Sequence, residues 1–108
     1  PAALRMLQNA ISGERFEQLT SEIKTAFCVA YGRAGRDRAT GLLAEIFQRK
    51  VPLFNKESAS ATLEAAAMGL AHTGDPGALR LLRKEAGSLR SVRSAACQKA
   101  LATMGEGP

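Results

Sequence analysis

Residues 62–78, Thr-Leu-Glu-Ala-Ala-Ala-Met-Gly-Leu-Ala-His-Thr-Gly-Asp-Pro-Gly-Ala, constrain this chain more than any other stretch. They read as the end of one helix, a sharp stop and the start of the next. Ala65, Ala66, Gly69 and Leu70 give a small-residue face at helical spacing. Gly74 fits the left-handed position past a helix end, and Asp75-Pro76 is an N-cap followed by a first-turn proline.

This helix-stop unit recurs. Gly69-Leu70-Ala71-His72-Thr73-Gly74-Asp75 aligns with Ala100-Leu101-Ala102-Thr103-Met104-Gly105-Glu106, 31 residues on. Ala30-Tyr31-Gly32-Arg33-Ala34-Gly35 aligns with Gly69 to Gly74, 39 residues on, and an apolar connection around Pro52 accounts for the longer spacing. Self-similarity at such a period predicts a helical repeat array.

The apolar pattern predicts six helices. The first covers 2–11, with Leu4, Leu7, Ala10 and Ile11 on one face. Ser12 then caps a long second helix in which Phe16, Leu19, Ile23, Ala26, Phe27, Ala30 and Tyr31 recur at helical steps, and Gly35 stops it. A third starts near Asp37, carries Ala39, Leu42, Leu43, Ile46 and Phe47, and closes at Arg49-Lys50. Asn55 or Ser58 caps a fourth that runs to about Thr73. Asp75 caps a fifth that buries Ala78, Leu79, Leu82 and Ala86. A sixth, from Ser88 or Ser91 to Met104, presents Val92, Ala96, Cys97, Ala100, Leu101 and Met104.

Composition agrees with an all-α class. Hydrophobic residues make up 45% of the 108, yet aromatics are only 5% and Trp is absent, so the core rests on Leu and Ala rather than on strand formers. The length allows one domain, expected to span residues 1–108 as a piece of a longer protein, with helix pairs at about 2–34, 37–73 and 76–104. The longest uncharged run, between Glu64 and Asp75, falls far short of the roughly 20 apolar residues of a membrane span. Cys28 and Cys97 sit in helical apolar pattern and make no disulfide or metal framework, so a reducing, cytoplasmic setting is expected.

Val92-Arg93 followed by Ala95-Ala96-Cys97 and Ala100-Leu101, together with Ala65-Ala66-Ala67 through Gly74-Asp75-Pro76, resembles the HEAT repeat, in the short bacterial form also found in phycobilisome lyase-like proteins. The resemblance covers residues 36–105 best. It implies an α-α superhelix, a short right-handed solenoid of about three antiparallel helix pairs, and a non-catalytic protein-binding or scaffolding role. A lyase-like, chromophore-handling accessory role is the third reading that it carries.

Reactive constellations are not visible. The single histidine, His72, is followed by Thr73 and lacks the convergent acidic ligands that a metal site needs, so no metal or cofactor is expected. The two cysteines read as packing residues. Glu14, Glu17 and Glu22 read as surface charges beside Arg15 and Lys24, and Gly32, Gly35 and Gly41 are spaced too irregularly for a phosphate loop. The chain is therefore expected not to be an enzyme.

What remains is surface. In a stack of helix pairs the second helices line one concave face, and on helix four the positions left exposed are Glu64, Met68 and His72. The repeat frames match these to Thr25, Val29 and Arg33 on helix two and to Ala95, Lys99 and Thr103 on helix six. The result is a mixed ridge with Val29 and Met68 apolar in its middle, suited to a protein partner. The rival is nucleic-acid binding. Net charge is +5, from 15 basic and 10 acidic residues, and Arg80, Arg83, Lys84, Arg90 and Arg93 form an alternative basic surface.

Overall fold

A computed structural model describes residues 2–49, 56–87 and 92–104, and every element among them is helical. The elements are α1 (Ala2–Ser12), a 3₁₀ turn (Glu14–Gln18), α2 (Ser21–Gly35), α3 (Asp37–Phe47), α4 (Lys56–Ala71), α5 (Pro76–Ala86) and α6 (Val92–Thr103). Pro52, Asn55, Ser88, Arg90 and Ser91 lie outside the described residues, as do the side chains of Val92 and Arg93.

α4 is the centre of the molecule. It touches α2, α3, α5, α6 and the 3₁₀ turn. Leu63, Ala65, Ala66, Ala67, Leu70 and Ala71 are all buried, so the helix is apolar on most of its circumference, the pattern of a helix enclosed by others. Its small side chains let neighbours approach closely. α1 packs on α2, α3 on α4 and α5 on α6, while α2 and α6 flank α4. The radius of gyration, 12.7 Å, matches the ~13 Å of a compact chain of this length.

α3 and α5 follow the pattern read from sequence. Ala39, Leu43, Ile46 and Phe47 are buried on α3, Ala78 and Leu82 on α5, with Leu42, Leu79 and Ala86 half-buried at their edges. The Asp75 carboxylate accepts from the Gly77 N–H at 3.1 Å, and Pro76 opens α5 as expected. Gly74 has φ +73°, the left-handed geometry foreseen at a helix stop.

Several expectations need correction. The long second helix is broken. Gly13 and Leu19 are extended on either side of the 3₁₀ turn, and α2 starts only after Thr20, whose hydroxyl accepts from the Ile23 N–H at 3.3 Å. Ser12 instead turns its hydroxyl back to the Gln8 carbonyl.

α2 is also rotated from the expected face. Lys24, Cys28, Tyr31, Gly32 and Gly35 are buried, while Ala26 and Ala30 are exposed and Ile23 is 44% exposed. The reason is the approach to α4. A β-carbon on Gly69 would lie 2.7 Å from the Cys28 carbonyl oxygen, and one on Gly32 would overlap the Gly69 carbonyl. That contact turns the Lys24–Cys28–Gly32 edge inward.

α2 ends at Gly35, as read from the sequence, but the left-handed position lies one residue on. Gly35 is buried, where a β-carbon would meet Leu4 and Ala39 at 3.0 Å, and the positive φ, 54°, falls on Arg36. Ser58 is not the cap of α4, because it lies inside the first turn of that helix. At the other end of the chain Met104 is 43% exposed rather than buried with Ala96, Cys97, Ala100 and Leu101. It lies beyond the last residue of α6.

Candidate interaction ridge

The expected ridge positions on α4, Glu64, Met68 and His72, are half-buried rather than exposed, on a helix packed against both α2 and α6. Thr25 and Val29 on α2 are half-buried too, while Arg33 on α2 and Ala95, Lys99 and Thr103 on α6 are exposed. Met68 packs in part against the core, which leaves only the outer part of its side chain at the surface.

A polar contact joins α6 to α4 on this face. The Lys99 ammonium on α6 donates to the Glu64 carboxylate on α4 at 3.4 Å. At the other end His72 follows the last turn of α4, its N–H donating to the Met68 and Gly69 carbonyls at 3.2 and 3.1 Å. Burial lowers the His72 pKa below the ordinary histidine value, and the nearby Arg33 guanidinium lowers it further. The neutral imidazole is therefore favoured near pH 7. Thr103 spends its hydroxyl on the Lys99 carbonyl at 3.0 Å.

The alternative basic surface is less continuous. Arg80, Arg83 and Lys84 are exposed on α5, and Arg80 acts on Asp75, whose carboxyl is held below the usual range chiefly by the Thr40 hydroxyl and then by the Gly77 N–H. Arg90 and the Arg93 side chain lie outside the described residues.

Sequence reasoning missed a buried ionic cluster. Lys24, only 1% exposed, donates to both the carbonyl and the hydroxyl of Ser58 at 3.1 Å and faces the Glu17 carboxylate at 3.7 Å. The Ser58 hydroxyl lies 2.9 and 3.0 Å from the Glu17 carbonyl and carboxylate oxygens, and its one proton serves one of them. The cluster pins the 3₁₀ turn and α2 to the start of α4. Glu17 stays on the surface, as read from the sequence, while Lys24 beside it is buried and pairs with it. No local signal marks Lys24 as buried, because its partners lie 7 and 34 positions away.

The two thiols are unsuited to nucleophilic work. Burial pushes Cys28 up to about 12 despite the nearby Lys24 charge, and burial assisted by the Glu85 carboxylate pushes Cys97 up to about 12. Among the described residues no three His, Cys, Asp or Glu side chains converge as metal ligands, and no helix is long and apolar enough to cross a membrane. Compared with protein-family models, curated proteins and solved structures, the chain matches none.

Proposed function

We propose that the chain is a short HEAT-like array, a right-handed stack of three antiparallel helix pairs (α1 with α2, α3 with α4, α5 with α6), and that it serves as a non-catalytic protein-binding module. The observation that carries this reading is the lateral order α2–α4–α6. With α4 packed against both α2 and α6, Val29, Met68 and the charged residues around them, none fully buried, are read as one face. A helix pair buries its apolar side only against its neighbours, so stacking completes the core while one long face stays free for a partner.

Affinity capture with the intact chain tests it. Val29→Glu combined with Met68→Glu changes the middle of the ridge without touching a fully buried side chain. Loss of a specific captured partner, with helicity by circular dichroism unchanged, is the expected result. Identical capture by the double variant would remove the ridge. A partner that bound only at low salt, and was lost on nuclease treatment, would favour the basic surface of α5 instead.

A further inference from the structure

The two ends of the ridge differ in charge. At the α6 end Glu64 and Lys99 neutralise each other. At the α2 end Arg33 and Arg36 are both exposed, and neither forms an ion pair among the described residues. Arg36 reaches the loop after α4, since one of its guanidinium nitrogens stands 3.1 Å from where a Gly74 β-carbon would lie. His72 belongs to the same corner, close enough to Arg33 to feel its charge. The corner exists because Gly32 and Gly69 bring the C-terminal ends of α2 and α4 into backbone contact.

Among the described residues no carboxylate forms an ion pair with these cations. Asp75, in the same turn as Gly74, already accepts from the Thr40 hydroxyl at 2.7 Å and from the Gly77 N–H. The helix C-termini supply only partial negative charge. Two guanidinium groups, neither in an ion pair among the described residues, therefore present donor forks matched to carboxylates beside the His72 imidazole.

We propose that the occupant of the ridge is an acidic amphipathic segment of a partner protein, with its apolar side chains on Val29 and Met68 and its carboxylates at Arg33, Arg36 and His72. This rests on the protein-docking reading above and supplies the partner's chemistry. A nucleic-acid strand fits less well, because the middle of the face is apolar and its far end is neutral. The charged groups on the elements around His72 include Arg33 on α2, Arg36 between α2 and α3, Asp37 and Arg38 in the first turn of α3, Asp75 before α5, Arg80 on α5, and the Glu64–Lys99 pair.

Two synthetic helical peptides test the proposal. They share one leucine face and carry either Glu or Lys beside it, and a single-stranded oligonucleotide serves as a third probe. Fluorescence anisotropy with the full chain should show the Glu peptide binding at least about tenfold more tightly than the Lys peptide. The difference should narrow with added salt and in Arg33→Gln plus Arg36→Gln, whose fold is checked by circular dichroism. His72 is the sole histidine, so its ring signals in NMR report one site, and they should titrate at higher pH in the Glu-peptide complex. Equal binding of both peptides would overturn the acidic occupant and leave ridge docking standing. Failure of both peptides would remove the docking reading with it. Preference for the oligonucleotide would overturn the proposal in favour of nucleic acid.

Discussion

Gly32 of α2 and Gly69 of α4 meet backbone to backbone: a β-carbon on Gly32 would overlap the Gly69 carbonyl, and one on Gly69 would lie 2.7 Å from the Cys28 carbonyl oxygen. Neither helix has a flexible side chain there that could yield. Gly32→Ala or Gly69→Ala should destabilise the fold by about 3 kcal/mol, because the two helices must move apart. Gly41→Ala is the control. It sits exposed in α3 with nothing within 4 Å of an added β-carbon, so it should stabilise by about 0.5–1 kcal/mol. Urea denaturation measures all three.

The two positive-φ residues among those described, Gly74 and Arg36, should respond in opposite directions. Gly74, at φ +73°, should lose about 1–2 kcal/mol on substitution by Val. Arg36, at φ 54°, carries a side chain where glycine is easier, and Arg36→Gly should gain about 1 kcal/mol in thermal unfolding. A gain from Gly74→Val, or a loss from Arg36→Gly, would contradict the geometry of these turns.

The buried lysine should tolerate shape-conserving replacement better than loss of its partner. Ser58→Ala removes an acceptor of the Lys24 ammonium and should cost about 1–2 kcal/mol. Lys24→Met keeps the stem and removes the buried charge, so its effect should be smaller than that of Lys24→Ala, which also opens a cavity. Chemical denaturation of the three variants gives the order.

Asp75 should make stability fall in acid. Its pKa is lowered in the fold by the Thr40 hydroxyl and then by the Gly77 N–H. A lowered folded value means that the contribution is fully present above the ordinary aspartate pKa of 3.8 and is lost as pH falls through the folded value. Asp75→Asn retains an oxygen for the cap and should flatten this part of the curve of melting temperature against pH. An unchanged acid limb would place the dependence elsewhere.

The thiols should report unfolding. With both pushed up to about 12 and buried, Cys28 and Cys97 should resist a neutral-pH thiol reagent in the native protein and react at full rate in denaturant. Rapid labelling of either without denaturant would show that its burial is incomplete.

How much was legible depended on whether a signal was local. α3 and α5 announce themselves through apolar residues three and four apart, and Gly74-Asp75-Pro76 carries its stop and cap in consecutive residues. Thr20-Ser21-Glu22 held a comparable N-cap signal for α2, but the apolar residues Phe16 and Leu19 extend the helical pattern past it. The ridge on α4 was legible as a spacing, and its half-burial was not. Exposure of Glu64, Met68 and His72 depends on how α4 packs against α2 and α6.

By itself, then, the sequence determined the helical class, most helix limits and the turn at Gly74, because periodicity, capping and left-handed geometry act over a few neighbouring residues. Only the tertiary structure decided which way α2 faces, why Lys24 is buried, and that Arg33, Arg36 and His72 share a corner. Those outcomes follow from one close crossing of two helices, where glycine backbones 37 positions apart touch. Contact at that separation is chosen by the packing of the whole core, and no window of the chain records it.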